Sequence, residues 1–191
     1  ADGATVGLLG FADRIKPGAA RAVSRLAAMG VTSRLLSGDS AAAAAPIALA
    51  AGIVDMRAGL LPQDKAAEVA RMRGAGIVVA MVGDGVNDAP ALAAADIGLA
   101  MGTGTDIAMH TAGITLMRGD PLLVADAIDL SRRTWGKLRQ GLFWAMAYNV
   151  LGIPVAAMGW LDPALAGAAM ALSSVSVVLN ALSLRRWRPA A

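Results

Sequence analysis

The sequence predicts an α/β fold, a parallel Rossmann-like sheet over residues 1–130, followed by a two-helix transmembrane hairpin over residues 131–191. Three observations carry this prediction. Short apolar β-type runs alternate with helical patterns through the first 130 residues, the signature of a parallel sheet covered on both faces. Two uncharged runs follow, 20 residues at 142–161 and 21 at 164–184, each long enough to cross a bilayer core as a helix. The charge also divides along the chain. Residues 1–130 hold 10 lysines and arginines against 13 acids, a balance of −3, while residues 131–191 hold seven against Asp162 alone, a balance of +6.

Composition narrows the function. Hydrophobic residues make up 57% of the 191, above the roughly 45–50% of soluble domains, and the mean hydropathy is +0.58. The chain has no cysteine, which excludes a disulfide framework or a cysteine metal site built from these residues. The basic residues flank the apolar runs and form no stripe interleaved with aromatics, so nucleic acid is excluded as a partner and membrane lipid is expected. The sequence starts at Ala1 without a secretory pattern, so a processed or truncated product is expected.

Taken in order, Thr5–Leu9 reads as a strand. Pro17–Met29 reads as a helix opened by proline, with Ala20, Val23, Leu26 and Ala27 on one face, ended by Gly30. Val31–Leu36 is the next strand, and Ser40–Ala51 an alanine-rich helix that Pro46 should kink or split. A helix over Asp64–Arg73 and a buried-type strand over Ile77–Val82 follow. Ala89–Ala95 is a short helix, and Ile97–Met101 and Ile114–Met117 close the sheet. In the basic half, Asp162-Pro163 breaks the two spans apart. Arg132, Arg133, Lys137 and Arg139 precede the first run, and Arg185, Arg186 and Arg188 follow the second. Basic flanks favour the cytoplasmic side, so both ends of the hairpin are expected there, with Trp144, Trp160 and Trp187 near the interfaces.

Ligands of an open parallel sheet bind beyond the carboxyl ends of its strands, and the chemistry-bearing loops fall there. Ile77–Val82 runs into Gly83-Asp84-Gly85-Val86-Asn87-Asp88-Ala89-Pro90. Its glycines permit a tight turn, and Asp84 and Asp88 are hard oxygen donors of the kind Mg²⁺ takes beside water and phosphate. Asn87 adds a neutral donor. Val31–Leu36 ends in Ser37-Gly38-Asp39, where a hydroxyl can bond a phosphoryl oxygen or simply cap a helix. Lys65 lies near a helix start, against the helix dipole. Pairing with a phosphoryl group and the carboxylates would account for it; a solvated surface lysine is the alternative.

Hydroxyl, lysine and paired carboxylates in this order resemble the later motifs of the haloacid dehalogenase superfamily. GDGVNDAPAL is also similar to the hinge signature of P-type ATPases, and the resemblance runs from Thr5 to Arg188. It implies the C-terminal part of a haloacid-dehalogenase-like phosphorylation domain over 1–130, with Ser37, Gly38 and Asp39 at the aspartyl phosphate, Lys65 stabilising the transferring phosphoryl and Asp84 with Asp88 holding Mg²⁺. The family's nucleophile is the aspartate of DKTGT, which does not occur here; ATP would be bound mainly by a domain outside these residues. The chain alone is therefore expected to be inactive. The family usually has threonine at the Ser37 position, and Pro46 is unusual in its helix.

Polar residues within a membrane span point to function. The first run holds Tyr148-Asn149, and the second holds Met170, Ser173, Ser174 and Asn180, with Met170 and Ser174 on one helix face. A thioether favours Cu(I) over Zn²⁺ or Mg²⁺, although serine and asparagine also join helices and methionine fills gaps. The YN pair followed by MxxSS resembles the Cu(I)/Ag(I) subclass of heavy-metal P-type ATPases. Zinc-type members carry a lysine and an aspartate in these helices, and the subclass's cysteine pair would precede this stretch. The resemblance implies a multi-pass membrane pump moving Cu(I), with the rest of the pump and a copper chaperone as partners. His110 reads as a surface or helix-end residue, and Gly102–Asp106 as a turn, since its spacing fits no phosphate-binding loop. The competing readings are a membrane-anchored phosphatase of the haloacid dehalogenase type, and a non-enzymatic accessory subunit. The first needs a nucleophile ahead of Ser37, where Asp2 and Asp13 lack a suitable setting.

Overall fold

A computed structural model describes residues 14–102, 104–160 and 162–189. The strand expected at Thr5–Leu9 lies outside them. The chain divides into two units, Ala1–Ala125 and Asp126–Ala191.

The first unit is built from parallel strands and covering helices. Helix α1 spans Ala19–Ala28. Pro17 was expected to open it, but Lys16-Pro17-Gly18-Ala19 forms a β-turn instead. The Ala19 N–H donates to the Lys16 carbonyl at 3.1 Å, and Gly18 takes φ 82°, ψ −7°. Those angles define a type II turn, with proline at its second position and glycine at its third.

Strand β1 (Arg34–Leu36) and strand β2 (Asp55–Arg57) pair in parallel, Leu35 opposite Met56. β1 begins three residues later than expected. β2 escaped the sequence reading because its three residues include two charges and carry no apolar run. Helix α2, Ala41–Ala51, lies between them in sequence, capped by Ser40 Oγ accepting from the Ala43 N–H at 3.3 Å. Pro46 does not split it. Proline removes one backbone hydrogen bond, and burial of Ala44, Ala48 and Ala51 holds the helix on both sides of that loss.

Helix α3 spans Pro62–Gly74, with proline in its first turn and Asp64 accepting from the Leu61 N–H at 3.0 Å. Strand β3 (Ala80–Gly83), strand β4 (Ile97–Met101) and strand β5 (Ile114–Leu116) form a second parallel sheet in sequential order, Gly83 opposite Ala100 and Met101 opposite Leu116. The expected single sheet is thus two separately paired sheets among the described residues. α3 bridges them: its fully buried Val69 packs with Val79 and Ala91, against Leu36 from β1 and Met81 from β3.

β3 starts later than expected and is not a buried strand. Ile77 is 54% exposed and Val78 79%, both ahead of the strand, and Val82 within it is 37% exposed, while Val79 and Met81 pack into the core; β4 alone pairs with β3 among the described residues. Asp96 holds the entry to β3, taking the Val79 N–H at 2.9 Å and Arg73 Nε at 2.8 Å. The Val79 donor first, with Arg73 beside it, keeps the Asp96 carboxyl below its usual range against a smaller opposing effect of burial. A 3-10 turn, Val86–Asp88, leads into helix α4, Ala89–Ala94. α4 buries Leu92 against Ala100 and Ala108. Helix α5, Asp106–Thr111, is capped by Thr105, and its His110 is exposed.

The second unit is helical. Helix α6 runs Leu122–Ala157 and helix α7 Pro163–Leu182. The first apolar run was expected to stay helical to residue 161 but leaves the helix at Ala157. There the Gly159 N–H reaches the Ala156 carbonyl at 3.0 Å, the Trp160 N–H reaches Val155 at 3.1 Å, and Gly159 takes φ 71°. A left-handed glycine just past the last turn is a common helix stop. Asp162 then caps α7, accepting from the Ala164 N–H at 2.7 Å. Among the described residues one helical stretch, Ala166–Arg186, meets both the length and the apolarity of a membrane span, with mean hydropathy 1.7.

At their basic ends the two helices are tied together. Lys137 Nζ donates to Asn180 Oδ1 at 3.2 Å, and Asn180 Nδ2 returns a bond to the Lys137 carbonyl at 3.0 Å. Trp187 Nε1 and Arg133 Nε both donate to Asp129 Oδ2 at 2.8 Å.

Candidate functional site

The site lies beyond the carboxyl end of β3, where Gly83 passes the chain into the 3-10 turn. A Cβ added at Gly83 would stand 2.6 Å from the Asp88 Cβ, so only glycine lets the turn fold back this tightly. Asp88 is thereby brought against the strand end. Its Oδ2 accepts the Gly85 N–H at 3.4 Å and its Oδ1 lies 2.8 Å from Lys65 Nζ. Both side chains of that pair are mostly buried, 13% and 15% exposed.

Asp84 is more open. Its side chain is about half exposed, and its Oδ2 lies 3.0 Å from Lys16 Nζ, itself 47% exposed. The Asp84 backbone is fixed from a different loop. Its carbonyl accepts the Thr105 N–H at 2.9 Å, and a Cβ at Gly104 would collide with that carbonyl and lie 2.9 Å from the Asp84 Cα.

Ser37 and Lys65 are connected through the backbone. The Leu60 N–H donates to the Ser37 carbonyl at 3.0 Å and the Gly59 N–H to the Asp39 carbonyl at 2.7 Å, just ahead of α3. Ser37 Oγ takes the Asp39 N–H at 3.1 Å and donates to Asp39 Oδ2 at 2.9 Å. Its hydroxyl therefore closes a local turn onto Asp39, while the cap of α2 is Ser40. A Cβ at Gly38 would lie 3.3 Å from the Leu60 carbonyl, so the two loops pass closely. Asn87 is exposed on the 3-10 turn.

Two contributors were missed in the sequence. Lys16 drew no reading, although Lys-Pro-Gly-Ala is a type II turn signal that fixes where it is presented. Gly104 sat in a stretch read only as a turn, and its close approach to Asp84 joins distant loops with no local signal.

Residues 2–96 match the family model of haloacid dehalogenase-like hydrolases. The chain is 57% identical to the copper-exporting P-type ATPase of Bacillus subtilis (strain 168) over 97% of its own length and 23% of that protein's. It is 55% identical to the probable copper-exporting P-type ATPase V of Mycobacterium tuberculosis (strain CDC 1551 / Oshkosh), over 97% of its length and 24% of that protein's. A crystal structure of a zinc-transporting PIB-type ATPase in its E2.Pi state superposes with TM-score 0.85 at 39% identity, covering 92% of this chain and 29% of that one. Over nearly its whole length, the chain is similar to one segment of these metal-transporting P-type ATPases. It spans about a quarter of the length of the curated relatives it matches.

The four residues expected on a metal path lie in the second unit. Met170 is 73% exposed, and Ser174 Oγ donates back to the Met170 carbonyl at 3.1 Å. Asn149 Nδ2 donates to the Ala145 carbonyl at 2.9 Å, and Tyr148 beside it is half-buried. Ser174 and Asn149 thus satisfy their polar atoms on their own helices, as such residues commonly do. No group of three or more histidine, aspartate or glutamate side chains placed to hold a metal occurs among the described residues.

Proposed function

We propose that these residues serve an ATP-driven pump that exports Cu(I) across a membrane, as the phosphate-handling and last membrane segments of a longer polypeptide. The observation that carries the reading is the convergence of Lys65 and Asp88 on the end of β3, with the more open Asp84 beside them. Residues 1–130 act in the cytoplasm, and residues 131–191 cross the bilayer twice, at about 142–161 and 164–184. The large exposed apolar side chains of the second unit, among them Phe143, Leu151, Ile153 and Leu179, are then covered by lipid and by the pump's other helices. A copper chaperone delivers the ion.

Two carboxylates set four residues apart, one half-open to solvent, are hard oxygen donors suited to Mg²⁺ completed by water and a phosphate. Asp84 and Asp88 would hold it, and it would supply neutralisation of charge on the transferring phosphoryl group. Lys65 adds a fixed positive charge at that place. Its position on α3, rigidly paired, spares reorganisation at the moment of transfer. Ser37 and Asn87 bond phosphoryl oxygens, Ser37 from a loop held by Leu60 and Gly59, and Gly38 and Asp39 shape that loop. The accepting aspartate and most of the ATP site lie on the remainder of the pump.

In the membrane portion, Met170 and Ser174 on one face of α7, with Tyr148 and Asn149 of α6, line the path of the ion. A thioether selects a soft monovalent ion. The experiment is phosphorylation of a pump carrying these residues with radiolabelled ATP. Asp88→Asn should abolish the acid-stable phosphoenzyme while leaving nucleotide binding in place. An unchanged phosphoenzyme in that variant would remove the carboxylates from the chemistry.

A further inference from the structure

The two carboxylates of the site each carry a lysine, and the two lysines are held differently. Lys65 is fixed to helix α3, mostly buried, and bound to Asp88 at 2.8 Å. Lys16 stands on the type II turn at Lys16–Ala19, half exposed, 3.0 Å from Asp84 Oδ2. Pro17 and the left-handed Gly18 present its backbone at a set place, while its own four-carbon stem remains free to swing. Nothing in the sequence motif of the loop calls for this lysine; the turn brings it across 68 residues to the open carboxylate.

We propose that Lys16 is the internal counter-ion of Asp84, which a divalent cation must displace, so that this lysine sets the divalent-cation affinity of the site. The inference rests on the reading that Asp84 and Asp88 hold Mg²⁺. A metal ion and an ammonium group cannot both occupy the same face of one carboxylate without mutual repulsion. Metal binding therefore requires Lys16 to leave Oδ2, and that departure weakens binding by the strength of the ion pair. In return, Asp84 never stands as an unpaired negative charge beside Asp88 while the metal is away.

The test uses the full 191-residue chain in phosphatidylcholine nanodiscs, with Mn²⁺ as the probe and free Mn²⁺ read by electron paramagnetic resonance. Lys16→Gln should tighten Mn²⁺ about two- to five-fold, the range that loss of one exposed ion pair supports. Lys16→Arg, which keeps the charge, should stay near the wild-type value. Asp84→Asn should weaken binding by more than about ten-fold, as expected for losing one of two carboxylate donors. If Asp84→Asn weakens binding and Lys16→Gln leaves it unchanged or weaker, the counter-ion role is overturned and the metal site stands. If Asp84→Asn binds as well as wild type, the metal reading itself fails, and this inference with it.

Discussion

Lys65 Nζ stands 2.8 Å from Asp88 Oδ1, and this one contact joins the first turns of α3 to the loop that ends β3. Removing the lysine leaves a mostly buried carboxylate without its charge partner, a loss of about 1–3 kcal/mol. Lys65→Met is expected to lower the melting temperature of the chain by several degrees, read by differential scanning fluorimetry in detergent. Adding Asp88→Asn should recover part of that loss, because the buried charge is then gone. Strictly additive effects in the double variant would show that the pair is not coupled.

Gly104 allows the chain to pass against the Asp84 backbone. Gly104→Ala must push Gly104 and Thr105 away from Asp84 and break the bond from the Thr105 N–H. The expected result is a displaced Asp84, seen as a loss of Mn²⁺ binding by the 191-residue chain with helix content by circular dichroism unchanged. Wild-type Mn²⁺ affinity in Gly104→Ala would mean that this close approach does not position the carboxylate.

Glu68 is buried beneath three arginines, with Arg71 at 2.7 Å, Arg34 at 2.6 Å and Arg57 at 3.5 Å. The Arg71 hydrogen bond leads in holding its carboxyl below the usual range, burial opposes it, and the charges of Arg57, Arg71 and Arg34 add to the lowering. A lowered folded-state pKa stabilises the fold above the unfolded value, about 4.3 for glutamate, and that stability is lost as pH falls through the folded value. The melting-temperature gap between wild type and Glu68→Gln should therefore be widest near neutral pH and close as the pH falls through the lowered folded value. A gap that is independent of pH would contradict the ion-pair account.

Much of this arrangement is legible in the residues. Gly83 to Pro90 announced a strand end with two carboxylates, and the spacing of 142–161 and 164–184 announced apolar helices, because both signals are local. What escaped depends on distant contacts. β2 is a strand through its pairing with β1, and no three-residue segment with two charges declares itself. The run at Ile77–Val82 reads as buried from its composition, yet burial is set by neighbours, and within it Val79 and Met81 pack into the core while Ile77 and Val78 stay exposed. Pro46 was given its local cost, while the alanines that outweigh it act through packing. Lys16 and Gly104 reach Asp84 across 68 and 20 residues, beyond the range of any motif.

The central claim is that these residues serve a Cu(I) pump, and metal-dependent ATP hydrolysis by the purified pump that contains them tests it most directly. The 191-residue chain alone should hydrolyse no ATP, since it holds no DKTGT aspartate. In the pump, Cu(I) and Ag(I) should stimulate turnover and Zn²⁺ should not, and Met170→Ala should abolish the Cu(I) response while leaving phosphorylation by inorganic phosphate intact. Stimulation by Zn²⁺ with none by Cu(I) would contradict the account of the transported ion.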